Sequence, residues 1–207
     1  MAGPAPVWGG VLIGGGARRM GAPKHLLRHR GATLAELAVA ALAAHTEGVV
    51  LLGGGAVPDS LGGLPRLADA ALDRAPAGPL AGMLAALRSK PEAAWLFAPC
   101  DLPEIASAAV AWLLSERRPG RWAVLPRVAA DAPVEPLFAL YEPPAHRLLE
   151  DLARSPPSGR APRRLAAHPR VAVVTVPPDL ARCWAGANTF AELAALRQAE
   201  DGDRGEG

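Results

Sequence analysis

Cysteine is scarce in this chain: Cys100 and Cys183 are the only two among 207 residues. Thiols this few and this far apart make neither a disulfide scaffold nor a metal-ligand spacing, and such usage suits a reducing compartment. Long apolar runs are missing too. None approaches the roughly 18 residues of a membrane span, and Met1–Trp8 has no basic residue ahead of its apolar stretch, so neither a span nor a leader is expected and the protein is expected to be cytoplasmic. Charge of one sign is also lacking, since 22 Lys and Arg against 20 Asp and Glu leave only +2. No strong field for nucleic acid or an anionic membrane follows, although phosphate can still be bound locally. The five histidines, His25, His29, His45, His146 and His168, form no metal-spaced pair and are given no role. Aromatic residues make up 4%, and the five tryptophans are scattered, as packing residues are.

What is present is a core-forming composition, 50% hydrophobic and 20% charged, which excludes disorder and a dominant coiled coil. One domain over residues 1–199 is expected, with 200–207 a frayed charged tail. Gly and Pro number 22 each without a collagen-like period, so they punctuate turns in a loop-rich fold.

The order of segments is that of an α/β protein. Val7 to Ile13 reads as a short buried strand, and the glycine-rich basic stretch to Lys24 is too irregular for a helix. Thr33 and Glu36 have capping-box spacing ahead of an Ala/Leu-rich helix ending near His45, and Gly48 to Leu52 is the next strand, which is βαβ grammar. The alternation continues with a strand at Pro65 to Ala68, a helix at Leu80 to Leu87, a strand at Ala93 to Ala98 and a helix at Ser107 to Glu116. Beyond Arg121 to Leu125 the order loosens. A strand near Leu137 to Tyr141, a helix after Pro143-Pro144, a Pro/Arg-rich connector from Ser155 to Arg164, a last strand at Val171 to Val176 and a final helix at Phe190 to Gln198 are expected, with no internal repeat.

Two constellations carry chemistry. Gly14-Gly15-Gly16-Ala17-Arg18-Arg19 with Lys24 follows the first strand, where glycines let backbone N–H groups approach phosphate oxygens and the cations add charge. It fits neither the Walker pattern nor the dinucleotide fingerprint, because Arg19 stands where the third glycine belongs. A surface turn with incidental charges is the competing reading, and the density of cations favours phosphate. Pro99-Cys100-Asp101-Leu102-Pro103 follows the expected strand at Ala93 to Ala98, and a carboxylate at a strand's carboxyl end projects into the crevice where open α/β sheets bind ligands; Asp101 is the metal candidate, with an Asx-turn or helix cap as the alternative. Cys100 reads as a buried inert thiol. Gly78-Pro79-Leu80-Ala81-Gly82-Met83, with Asp69 and Asp73 upstream, could hold a nucleobase or ribose, but by itself it reads as a Pro-initiated helix.

Leu12-Ile13-Gly14-Gly15-Gly16-Ala17-Arg18-Arg19-Met20-Gly21 with Lys24, then Gly78 to Met83, then Pro99-Cys100-Asp101, resemble the molybdenum cofactor guanylyltransferases, which attach GMP to molybdopterin. Later echoes are Glu135-Pro136-Leu137-Phe138, like that family's His/Gln-Pro segment, and Asn188-Thr189, like its Asn-Thr-Pro-Glu run. The sequence departs from the family pattern at Ile13 (usually Ala), Gly53 (usually Asn), Gly186 (first Asn of Asn-x-Asn-Thr) and Phe190 (Pro). The resemblance implies a three-layer, Rossmann-like nucleotidyltransferase fold with a mostly parallel central sheet. It also implies GTP and molybdopterin as substrates and Mg²⁺ as cofactor, with no nucleic-acid or membrane partner. Contact with other cofactor-synthesis or acceptor proteins is left open. By the same resemblance Leu12, Ile13, Gly14, Gly15, Gly53 and Gly78 belong to the nucleotide site, Arg19 and Lys24 to its phosphates, Asp69 (or Asp73) to the nucleoside, Asp101 to both nucleotide and Mg²⁺, and Asn188 to the acceptor. The paired Gly14-Gly15 favours guanine over the Ala-Gly of CTP-using relatives. A related transferase with another nucleotide or acceptor, and a non-catalytic cofactor-delivery module, are the alternatives.

Overall fold

The computed structural model describes residues 3–14, 23–72, 78–187 and 192–193. In chain order these form β1 (Val7–Leu12), a hairpin of β2 (Arg28–His29) and β3 (Ala32–Thr33), α1 (Leu34–Ala43), β4 (Val49–Leu52), β5 (Arg66–Leu67), α2 (Pro79–Ser89), β6 (Ala94–Pro99), α3 (Ser107–Ser115), β7 (Ala123–Arg127), β8 (Ala139–Tyr141), α4 (Ala145–Arg154) and β9 (Val171–Thr175). Short 3-10 turns fill several connections, among them Lys24–Leu26, Pro162–Ala167 and Pro178–Trp184.

Seven strands make one sheet in the order β5-β4-β1-β6-β8-β7-β9. The pairs β5–β4, β4–β1, β1–β6 and β7–β9 are parallel, and β8 runs antiparallel to both its neighbours. The sheet is therefore mostly parallel, as an alternation of strands and helices demands. Its first half is covered on both faces, so its strands read as unbroken apolar runs in the sequence. Period-two alternation divides them: Val11, Leu51, Leu96 and Ala98 join the apolar layer under α1 and α3, while Leu52, Trp95 and Phe97 join the layer under α2 and α4. Gly10 is matched to the second layer, because a Cβ there would stand 2.7 Å from the Phe97 ring and 2.8 Å from Leu52 Cδ1.

The capping box at the start of α1 forms as its spacing requires: Glu36 N–H donates to Thr33 Oγ1 (3.2 Å) and Thr33 N–H donates to Glu36 Oε2 (2.6 Å). Helix α2 opens with Pro79 after Gly78, without a side-chain cap. The sequence pattern did not reveal the β2–β3 hairpin. Its strands are two residues long, too short to show a period, and its turn uses Arg30 (φ 50°) and Gly31 (φ 82°) where Asn-Gly is the usual signal. The helix expected at Phe190 to Gln198 lies outside the described residues except at 192–193, which are helical. Among the described residues no helix is long and apolar enough to cross a membrane.

Candidate active site

Strands β4 and β5 extend the sheet to one side of β1 and β6 lies on the other, so the chain reverses direction across the sheet between β1 and β6. Open α/β sheets bind ligands beyond the carboxyl ends of the strands at such a switch point. A cavity of about 220 Å³ opens there. Leu12, Ile13 and Gly14 line it from the end of β1, Pro99, Cys100 and Asp101 from the end of β6, Lys24 and His25 from the turn before the hairpin, and Pro79 and Leu137 complete it.

Lys24 Nζ stands 3.5 Å from Asp101 Oδ2, and both side chains are about one-third exposed (28% and 31%). A cation and a carboxylate so placed attract each other at the mouth of the crevice. His25 is buried, and its Nε2–H donates to the Ala56 carbonyl at 2.7 Å, which fixes the turn carrying Lys24 to the segment after β4. Cys100 is no nucleophile: burial, and secondarily the Asp101 charge, push its thiol up to about 12.

A second cavity, about 260 Å³, adjoins the first and shares Pro99, Asp101 and Leu137 with it. Glu135, Phe138, Trp184 and Gly186 supply the rest of its described wall with Leu102. Burial raises the Glu135 carboxyl above its ordinary value and the neighbouring Asp101 charge raises it further, so two carboxylates compete for one region of space. The Ala187 N–H donates to the Asp101 carbonyl at 2.9 Å, which brings the chain leading to residue 188 against the end of β6.

The structure thus brings Leu12, Ile13, Gly14, Lys24 and Asp101 around one cavity. Asp69, Gly53 and Gly78 are near it without lining it. A Cβ on Gly14 would lie 3.8 Å from Asp69 Oδ2, and one on Gly82 of α2 would lie 3.4 Å from Asp69 Oδ1, so Asp69 spans the β1 terminus and the first turns of α2. Gly53 has φ +110°, and a Cβ there would come within 2.8 Å of the Gly14 nitrogen, a spacing that excludes a side chain and accounts locally for glycine at this position. Gly15, Arg18, Arg19, Asp73 and Asn188 lie outside the described residues. The sequence reading gave no role to His25 or Glu135. His25 had one available signal, its adjacency to Lys24; Glu135 was noticed only as part of a segment, and its place in the wall depends on β6, β7 and β8 meeting.

The model of the MobA-like NTP transferase domain family matches residues 9–204. A molybdenum cofactor biosynthesis bifunctional protein of Synechocystis is 34% identical over 145 residues, which are 69% of this chain and 41% of that protein. A "Probable molybdenum cofactor guanylyltransferase" of Opitutus terrae is 38% identical over 137 residues, 64% of this chain and 65% of that one. The match therefore spans less than two thirds of either relative's length. In fold, the crystal structure of molybdopterin-guanine dinucleotide biosynthesis protein A from Archaeoglobus fulgidus is similar with a TM-score of 0.65 at 20% identity, over 94% of this chain and 98% of that one. A parallel sheet with its crevice at the β1/β6 switch point, and a family match that runs through nearly the whole chain, agree: this chain belongs to the MobA-like NTP transferase domain family.

Proposed function

We propose that this chain transfers GMP from GTP to molybdopterin, releasing pyrophosphate. The observation that carries the reading is Asp101, paired with Lys24 and standing where the two cavities meet. One cavity would take the nucleotide and the other the acceptor, so the α-phosphorus would lie beside the carboxylate that both share. In this reading the backbone of Leu12, Ile13, Gly14 and Gly15 meets guanine, and Gly53, Asp69 and Gly78 surround the nucleoside. Arg19 and Lys24 take the phosphates, and Asn188 belongs to the acceptor side.

The donor set suits a hard cation. Asp101 offers carboxylate oxygens, the protonated Cys100 thiol offers no soft ligand, and among the described residues no group of three or more His, Cys, Asp or Glu gathers as a dedicated metal cage. Mg²⁺ commonly takes one or two protein carboxylates and completes its shell with substrate phosphates and water. Asp101 would hold it, and when bound it would neutralise charge on the triphosphate. Lys24 would follow the charge that builds on the departing pyrophosphate. The terminal phosphate of molybdopterin, already ionised at neutral pH, forms its bond to the α-phosphorus in line as the α–β bridging P–O bond breaks. No proton has to be removed from it, so no general base is required.

Incorporation of label from α-labelled GTP into a molybdopterin dinucleotide, with one pyrophosphate released per label, tests the proposal. CTP, ATP and UTP run in parallel. Equal transfer from CTP would remove the guanine assignment, and no transfer from any of them would remove the enzymatic reading.

A further inference from the structure

Glu104 lies three residues beyond Asp101, in the connection between β6 and α3, and is only 7% exposed. A carboxylate so placed loses hydration, and its oxygens need donors from the protein in place of water. Two donors come from one remote segment. His29 Nε2–H donates to Glu104 Oε1 at 2.9 Å, and Arg30 Nη2 donates to Oε2 at 2.8 Å. His29 is itself buried, so the first of these bonds lies wholly inside the protein. The second draws on a residue held in left-handed backbone, Arg30 at φ 50°, a conformation that a non-glycine residue keeps only when its surroundings impose it.

The two segments joined in this way are the ones that carry the Lys24–Asp101 pair. The chain from Lys24 runs through its 3-10 turn directly into the β2–β3 hairpin, and a hairpin of two-residue strands is not stable by itself. Its near end is tied by His25 to the Ala56 carbonyl and its far end to Glu104. Lys24 and Asp101 are thus set at 3.5 Å by two segments whose relative position depends on that carboxylate.

We infer that Glu104 is a positioning residue: by clipping the hairpin to the Asp101 loop it fixes Lys24 against Asp101. The role rests on the proposed function for its catalytic meaning, but its geometry can be read without substrate. Lys24 and Lys90 are the only lysines in the chain, and Lys90 lies far from the clip, its Nζ 3.9 Å from the centre of the Trp8 ring. Lys90 is therefore an internal reference for amine reactivity.

The test is acetylation of the full chain with limiting acetic anhydride, the Lys24-to-Lys90 ratio being read by mass spectrometry. Glu104→Gln keeps the shape but turns an amide N–H₂ toward one of the two donors. Arg30→Gly removes the guanidinium while suiting the left-handed backbone, so it serves where Glu104→Gln fails to fold. Both variants are expected to raise the ratio several-fold, and kcat is expected to fall by about tenfold to a hundredfold with KM for the nucleotide less affected, since a displaced group costs mainly the transition state. An unchanged ratio in a folded variant overturns the inference, as does a fall in melting temperature with no change in ratio or kcat. A wild-type chain that transfers no label would sink the proposed function while leaving the labelling result to decide whether the clip exists.

Discussion

Asp101 separates two explanations that a strand-end carboxylate always invites. Asn at position 101 retains an oxygen that can accept a turn or cap hydrogen bond, but it loses the negative charge that a hard cation requires and that Lys24 faces at 3.5 Å. The side chain is partly exposed, so its replacement by an isosteric amide is expected to leave the melting temperature nearly unchanged. Activity is expected to fall by about a hundredfold or more, the scale of losing one preorganised electrostatic element. Pyrophosphate release across a Mg²⁺ titration checks this, and near-wild-type turnover at ordinary Mg²⁺ would leave Asp101 as a turn residue. Lys24 and Asp101 were legible in the sequence because each follows a pattern that fixes its place, the glycine-rich stretch for one and the buried strand for the other. His25, Glu104 and Glu135 were not, because their partners are remote: His25 meets the Ala56 carbonyl, Glu104 meets His29, and Glu135 feels Asp101. No local pattern encodes such pairings.

At the scale of elements, α1 shows how a short sequence signal becomes a titratable device. The Ser60 hydroxyl, then the Thr33 backbone N–H and then the Thr33 hydroxyl hold the Glu36 carboxyl down at about 2, against an ordinary 4.5. A depressed carboxyl contributes stability that is complete above its unfolded value and is lost as pH falls toward the folded one. The acid limb of the stability curve should therefore include Glu36 between pH 4.5 and about 2. Ser60→Ala removes the largest cause and is expected to lower stability at pH 7 and flatten that limb, with the variant and wild-type curves converging toward pH 2. Thr33→Ala removes the cap acceptor and is expected to cost about 1 kcal/mol at pH 7. Urea unfolding from pH 7 down to pH 2 checks both, and superimposable acid limbs for wild type and Ser60→Ala would contradict the first. The capping box was readable because it depends on residues three apart. The antiparallel insertion of β8 was not readable: Ala139-Leu140-Tyr141 is equally apolar in either direction, and only its pairing with Trp95, Leu96 and Phe97 on one side and Ala123 and Val124 on the other settles its sense.

For the whole molecule, the crevice lies beyond the carboxyl ends of β1 and β6, and the groups that line it come from segments far apart in sequence: the end of β1, the turn at Lys24, the start of α2, the end of β6 and the segment before β8. A ligand that touches all of these restrains the native arrangement and has no counterpart site in the unfolded chain. Binding then adds stability by mass action, about 2.7 kcal/mol at a hundred times the dissociation constant. For a chain of this length each kcal/mol moves the melting temperature by about 2–4 °C, so saturating GTP with Mg²⁺ is expected to raise it by about 5–11 °C. The increment should shrink without the metal, because the triphosphate would then bring its full charge to a site that already holds Asp101 and, behind it, Glu135. It should also exceed the increment from CTP at equal concentration if the β1 terminus reads guanine. Thermal melts with each nucleotide, with and without Mg²⁺, decide the matter: equal shifts from GTP and CTP would leave a triphosphate site without base selection, and no shift from any nucleotide would leave the crevice without the ligand class proposed for it.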